Sequence, residues 1–150
     1  MIEIKAPGDY SAYKQKKAVF LAGSIEVGEA IDWQAQVSEA LSDQDILVLN
    51  PRRSDWDSSW EQSIDHPQFR EQVEWELNAL ERADTIIMYF DPDTMAPITL
   101  LELGLHAKTS AEKLIVCCPD GYWRKGNVDI VCNMHGVRQV DSLDALIKAV

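Results

Sequence analysis

Asp84-Thr85-Ile86-Ile87-Met88-Tyr89-Phe90, closed by Asp91-Pro92-Asp93 and followed by Pro97-Ile98-Thr99-Leu100-Leu101-Glu102-Leu103-Gly104, decides the fold class. The run from Thr85 to Phe90 is apolar at consecutive positions and rich in β-branched and aromatic side chains, as a strand buried on both faces of a parallel sheet must be. Asp-Pro-Asp breaks it, and Pro97 suits the first position of a helix extending to about Ala107. Upstream, Ala18-Val19-Phe20-Leu21-Ala22 stops at Gly23-Ser24 and reads as the first strand. A helix from about Ala30 to Leu41 and a second strand over Asp45 to Leu49 follow it. A helix from Pro67 to Arg82 precedes the central run, with Phe69, Val73, Leu77 and Leu80 along one stripe. Downstream come a fourth strand over Lys113 to Cys118, a short element around Val128 to Cys132, a fifth edge strand near Val137 to Val140, and a closing helix from Ser142 to Val150. Strands alternating with helices predict a doubly wound α/β domain with a mostly parallel five-stranded sheet and helices on both faces. Residues 1–17 are read as an N-terminal extension of that single domain.

Ligands of such sheets bind beyond the carboxyl ends of the strands, which singles out the loops starting at Gly23, Asn50, Asp91 and Pro119. The loop Asn50 to Trp60 combines turn formers with two arginines and two tryptophans, a composition suited to binding. Arginine suits a phosphate and tryptophan suits stacking on a base, so Arg52 and Trp56 are candidates. The other reading is a loop packed on its own tryptophans and salt-bridged to local aspartates.

The 150 residues carry 25 acidic and 14 basic side chains, a formal charge of -11, which gives no electrostatic basis for gripping nucleic acid or anionic lipid. No apolar run has the length of a signal peptide or a membrane span, so a cytoplasmic chain is expected. Cys117, Cys118 and Cys132 form no CxxC pair and are expected to be reduced thiols. His66, His106 and His135 are scattered without ligand spacing, so neither a metal nor another cofactor is expected.

Glu102 places one carboxylate in an otherwise apolar helical turn. It either faces solvent or caps an amide, or it is an oriented, desolvated carboxylate able to attack a sugar carbon. Glu76, on the preceding helix, either lies on a solvated face or brings a second carboxyl to the same strand end, where a pair could break a glycosidic bond. Gly23 to Gly28 lacks the full GxGxxG spacing, yet its small residues would let a ligand approach the backbone. Asp91 and Asp93 are either a turn or hydrogen-bond partners for a ribose or base.

Together, Phe20-Leu21-Ala22-Gly23-Ser24-Ile25, Leu49-Asn50-Pro51-Arg52-Arg53, Trp75-Glu76-Leu77 with Ala83-Asp84, Pro97 to Gly104, and Lys125-Gly126-Asn127-Val128-Asp129 resemble the nucleoside 2-deoxyribosyltransferase family, and its deoxyribosyltransferase-like branch in particular. The resemblance implies that Glu102 attacks C1′ of a 2′-deoxynucleoside and that a base or water takes the deoxyribosyl group from it. It implies that Glu76 contacts the nucleobase and that Gly23 and Ser24 line the sugar or phosphate end. Asp91 and Asp93 would sit at the rim, and Asn127 would reach the neighbouring site of a homo-oligomer. The partners it implies are a nucleoside or nucleotide and a nucleobase. Two positions depart from the pattern. Phe20 stands where some members carry a tyrosine that orients the nucleophile, with Tyr89 a possible substitute, and Ala96 stands where several carry an aspartate or serine. Hydrolysis of nucleosides or their 5′-monophosphates, and a non-catalytic nucleotide-sensing module, are the alternatives to transfer.

Overall fold

A computed structural model describes residues 1–25 and 32–150. Its centre is a six-stranded sheet in the order β1-β3-β2-β4-β5-β6, in which every pairing is parallel. The strands are β1 (Ile2–Lys5), β2 (Ala18–Gly23), β3 (Leu47–Asn50), β4 (Thr85–Tyr89), β5 (Leu114–Cys117) and β6 (Arg138–Val140). The helices are α1 (Trp33–Ala40), α2 (Pro67–Arg82), α3 (Pro97–Ala107), α4 (Lys125–His135) and α5 (Leu143–Lys148). The doubly wound class is as the sequence predicts, but the sheet has six strands instead of five. Ile2–Lys5, assigned above to an extension, pairs in register with Leu47 to Asn50 and forms the edge. Its alternation of isoleucine with Glu3 and Lys5 is the period-two pattern of a strand with one face against the core. The short element around Val128 to Cys132 is the middle of the longer helix α4.

Local chemistry sets the helix ends. Pro97 and Pro67 open α3 and α2, where the missing amide costs nothing. The His66 ring accepts from the Phe69 amide at 3.3 Å, and Ser142 Oγ from the Ala145 amide at 3.1 Å. Gly136, at φ 71°, supplies the left-handed residue that closes α4.

Alternation along the strands sorts the core into two layers. Phe20, Ile86 and Met88 face α2, α3 and α4, while Val19, Leu21, Ile87 and Tyr89 face α1 and α5. The chain runs outward from β2 to β3 through α1 and returns through α2 to β4 on the other side of β2. The switch in direction therefore lies between β2 and β4, and a crevice forms beyond their carboxyl ends. Gly23 ends β2 at that point. A Cβ added there would lie 2.5 Å from the Tyr89 carbonyl oxygen and 2.6 Å from the Trp33 ring. Gly23→Ala should therefore destabilise the fold by about 3 kcal/mol, read as a lowered urea midpoint with an unchanged slope. An unchanged midpoint would show that Trp33 yields freely.

Candidate active site

Glu102 lies on the sheet-facing side of α3 with Thr99, Leu103, His106 and Ala107, and is only 6% exposed. None of the described residues donates a hydrogen bond to it. Burial first, and the negative charge of Glu76 second, push its carboxyl up to about 8. Glu76 reaches the same region from α2. Burial raises its carboxyl as well, opposed by a 2.8 Å hydrogen bond from Gln72 Nε2 to its Oε1. The two acids thus lie near enough for the charge on Glu76 to disfavour ionisation of Glu102. Glu102 is buried, which removes its solvated reading, while Glu76 is half-buried.

The crevice end of β2 is knitted to the loop between β4 and α3. The Asp91 amide donates to Ser24 Oγ at 3.1 Å, and Thr94 Oγ1 donates to the Asp91 carbonyl at 3.0 Å. Because Thr94 has spent its proton there, Ser24 Oγ must be the donor in the 2.6 Å contact with Thr94 Oγ1. Asp91 Oδ1 accepts from the Asp93 amide at 3.0 Å, so Asp91 is buried in the turn while Asp93 is exposed. Ser24 is fully committed to holding this loop, and the groups that approach the backbone at Gly23 are the protein's own. Residues 26–31, which include Glu26 to Gly28 of the glycine-flanked turn, lie outside the described residues.

The loop after β3 divides in two. Arg52 turns toward the crevice, where its guanidinium meets Gln34 Oε1 at 3.3 Å and Asp32 at 3.6 Å. Gln34 is fully buried, and its amide is directed at the Ser24 carbonyl at 3.5 Å. The rest of the loop packs on itself. Trp56 lies edge-on to Trp60 at 5.2 Å, and Arg53 covers Trp60 while pairing with Asp55 and Glu71. Trp56 is therefore engaged with its own loop and remains 41% exposed.

Tyr89 cannot replace the tyrosine missing at Phe20. In β4 it alternates to the opposite face from Met88 and packs against Trp33 at 5.7 Å, on the α1 side of the sheet and away from Glu102. Phe20 itself lies on the α3 side. Ala96, at φ 42° just before Pro97, is the one non-glycine residue with positive φ among the described residues.

Asn127 stands on an exposed side of α4 with Ile130 and Met134, and its side chain makes no hydrogen bond to a described residue. Ile98, Leu101 and Leu105 line the outer side of α3, which packs against α4. All five apolar residues are between 48% and 73% exposed, an unusually apolar pair of helix faces for a surface.

The thiols are buried and unpaired by disulfides, and burial pushes Cys117 and Cys132 up to about 11 and Cys118 to about 12, which leaves them inert. Among the described residues no three His, Cys, Asp or Glu side chains converge as metal ligands, and no helix is long and apolar enough to cross a membrane. Two surface cavities, of about 600 Å³ beside Arg70 and Trp75 and about 360 Å³ beside Lys14 and Arg82, are lined by neither Glu102 nor Glu76.

The region that carries both acids matches the model of a known family. The model of that family, described as nucleoside 2-deoxyribosyltransferase like, matches residues 16–122. The chain belongs to the nucleoside 2-deoxyribosyltransferase-like family. The match takes in β2 to β5 and so contains both acids, Ser24, Asp91 and the Arg52 loop, while Asn127 falls beyond it. A search of the curated proteins finds no match.

Three participants in the site escape the sequence reading: Gln34, Gln72 and Thr94. Gln72 had a legible signal, since it precedes Glu76 by one helical turn and shares its face.

Proposed function

We propose that this protein cleaves the N-glycosidic bond of a 2′-deoxynucleoside through a covalent ester on Glu102, and passes the deoxyribosyl group to another nucleobase. The observation that carries the reading is the buried Glu102, its ionisation opposed by the half-buried Glu76. Desolvation and mutual repulsion make full ionisation of the pair costly, so near neutral pH the two carboxyls hold a single proton and titrate as a unit. Retaining glycosyl chemistry needs that state: one carboxylate to attack the anomeric carbon and one acid to protonate the departing group.

The proton, held on Glu102 in the resting pair, first passes to Glu76; the Glu102 carboxylate then bonds to C1′ as the C1′–N bond breaks, and Glu76 gives that proton to the leaving base. Glu76, now ionised, takes a proton from the acceptor base as its nitrogen attacks C1′ and displaces Glu102. Water in place of the acceptor gives hydrolysis by the same route. No cofactor enters either half.

The rate is expected to follow a bell in pH, rising as the doubly protonated pair loses its first proton and falling near 8 as it loses its last. A rate that climbs without a turn from pH 6 to 10 would contradict a shared proton.

Chromatography of the protein with deoxynucleosides and their 5′-monophosphates, each with and without a free acceptor base, tests the reading. A new nucleoside that appears only with acceptor establishes transfer. Free base without acceptor means hydrolysis, and turnover of monophosphates alone assigns Arg52 a phosphate. Absence of turnover across the panel favours a nucleotide-binding module.

The reading includes a homo-oligomer in which Asn127 serves the neighbouring site. Asn127 stands among the exposed Ile130 and Met134, beside the apolar face of α3, where a second copy would cover all of them.

A further inference from the structure

Gln72 is a buried amide in α2, only 4% exposed, that the reaction scheme above does not use. Its Nε2 donates to the Pro51 carbonyl and to Glu76 Oε1, each at 2.8 Å. Both amide hydrogens are thereby spent. Its own Oε1 is buried and accepts no hydrogen bond among the described residues.

That orphaned oxygen fixes the orientation of the amide. Turning it over would set Oε1 against two acceptors, the Pro51 carbonyl and the Glu76 carboxyl, and would leave the donors facing nothing. The observed orientation still strands a buried acceptor, a cost that leucine or methionine at this position would not carry. The side chain is retained for what its two donors hold.

We infer that Gln72 is a positioning residue for Glu76, tying the carboxyl to the backbone of the loop after β3 and confining its exchangeable proton to Oε2. The oxygen that accepts from Gln72 is the carbonyl of the protonated acid, so only the other can carry the hydrogen. The acid is then aimed by a strut anchored at the carboxyl end of β3, one residue before Arg52. This role rests on the glycosidic reading of the site, whereas the tie itself does not.

The charged groups around Glu76 make the strut matter. Among the described residues, Glu102 on α3 brings a charge of its own sign, and the loop after β3 meets it through Gln72 and the Pro51 carbonyl. The guanidinium of Arg52 is taken up by Asp32 and Gln34, and that of Arg53 by Asp55 and Glu71. Gln72 is thus the group that favours the ionised form of Glu76, against burial. Losing it lets Glu76 bind its proton more tightly, so the low-pH limb of the rate profile moves to higher pH.

The test pairs nuclear magnetic resonance with kinetics. In the wild-type protein, labelled on glutamine side-chain nitrogens and carboxyl carbons, the Gln72 amide signal should shift with the same midpoint as the Glu76 carboxyl. In Gln72→Met that carboxyl should titrate at higher pH, the low-pH limb should follow it, and kcat should fall about tenfold with KM little changed. A Gln72 amide that ignores the Glu76 titration, or a Gln72→Met protein with an unmoved Glu76 midpoint and limb, would overturn the inference. The wild-type titration decides if Gln72→Met does not fold. A wild type that turns over nothing, yet shows the coupled titration, sinks the glycosidic reading and leaves the tie standing.

Discussion

Glu102→Gln is expected to lose turnover by about 10³-fold or more and to become more stable than the wild type at neutral and alkaline pH. The first effect removes the nucleophile. The second follows from burial, because a carboxyl ordinarily near 4.5 is held at about 8 in the folded protein. Between those values the unfolded chain releases a proton that the folded chain keeps, so each step upward in pH favours unfolding. The penalty is absent below about 4.5, grows through neutral pH, and is complete above about 8. Glutamine cannot ionise and escapes it, a gain on the order of 3 kcal/mol at pH 7. Urea unfolding at pH 5, 7 and 9 reads the effect directly. The pH dependence of the difference is the signature, since the new amide alters packing equally at every pH. A variant that loses activity and stability together, by the same amount at each pH, would make Glu102 an ordinary structural carboxyl.

Glu76→Gln separates the acid from the nucleophile. With a natural deoxynucleoside, turnover should fall about 10²- to 10⁴-fold, the usual worth of a positioned general acid. With a deoxyriboside whose leaving group departs without protonation, most of that loss should vanish. Glu102 should also titrate at lower pH, because the charge that opposes its ionisation has gone. Equal losses on both substrates would mean that Glu76 holds the base or the fold and does not deliver a proton.

The fold was legible wherever burial dictates composition. β2, β4 and β5 are buried on both faces, so each reads as a short apolar run that no amphipathic helix would produce. The bounds of α2 were legible because Pro67 opens it, but its buried face was not: Gln72, Trp75, Ala79 and Leu80 face the core, while Leu77 of the predicted stripe is 44% exposed. β1 was hidden by its edge position, where only one face needs apolar residues and Glu3 and Lys5 interrupt the signal. α4 was blurred for a similar reason. Asn127, Ile130 and Met134 put polar and apolar residues together on its exposed side, which obscures the helical stripe.

The site was legible where chemistry breaks a pattern. Glu102 stood out as a lone charge among Leu100, Leu101 and Leu103, and burial of that acid is what the structure returns. Ser24 and Asp91 were found for their position at strand ends, although they hold a loop together in this state. Tyr89 was misplaced because alternation, and not proximity in sequence, decides which face of β4 a side chain reaches. Gln72 and Thr94 were missed because amides and hydroxyls carry no charge to mark them, and their roles exist only in three-dimensional contact.

A covalent bond at Glu102 is the central step of the proposed reaction, and its direct test is mass spectrometry of the trapped intermediate. The protein is mixed with a deoxynucleoside that the chromatographic panel shows to be turned over, in the absence of acceptor, quenched in acid within the first turnover, and weighed intact and as peptides. The expected result is a mass increase of one deoxyribosyl group, confined to the peptide bearing Glu102, lost on adding acceptor base and never formed by Glu102→Gln. Free base released by a wild type that carries no adduct, together with undiminished turnover in Glu102→Gln, would contradict it.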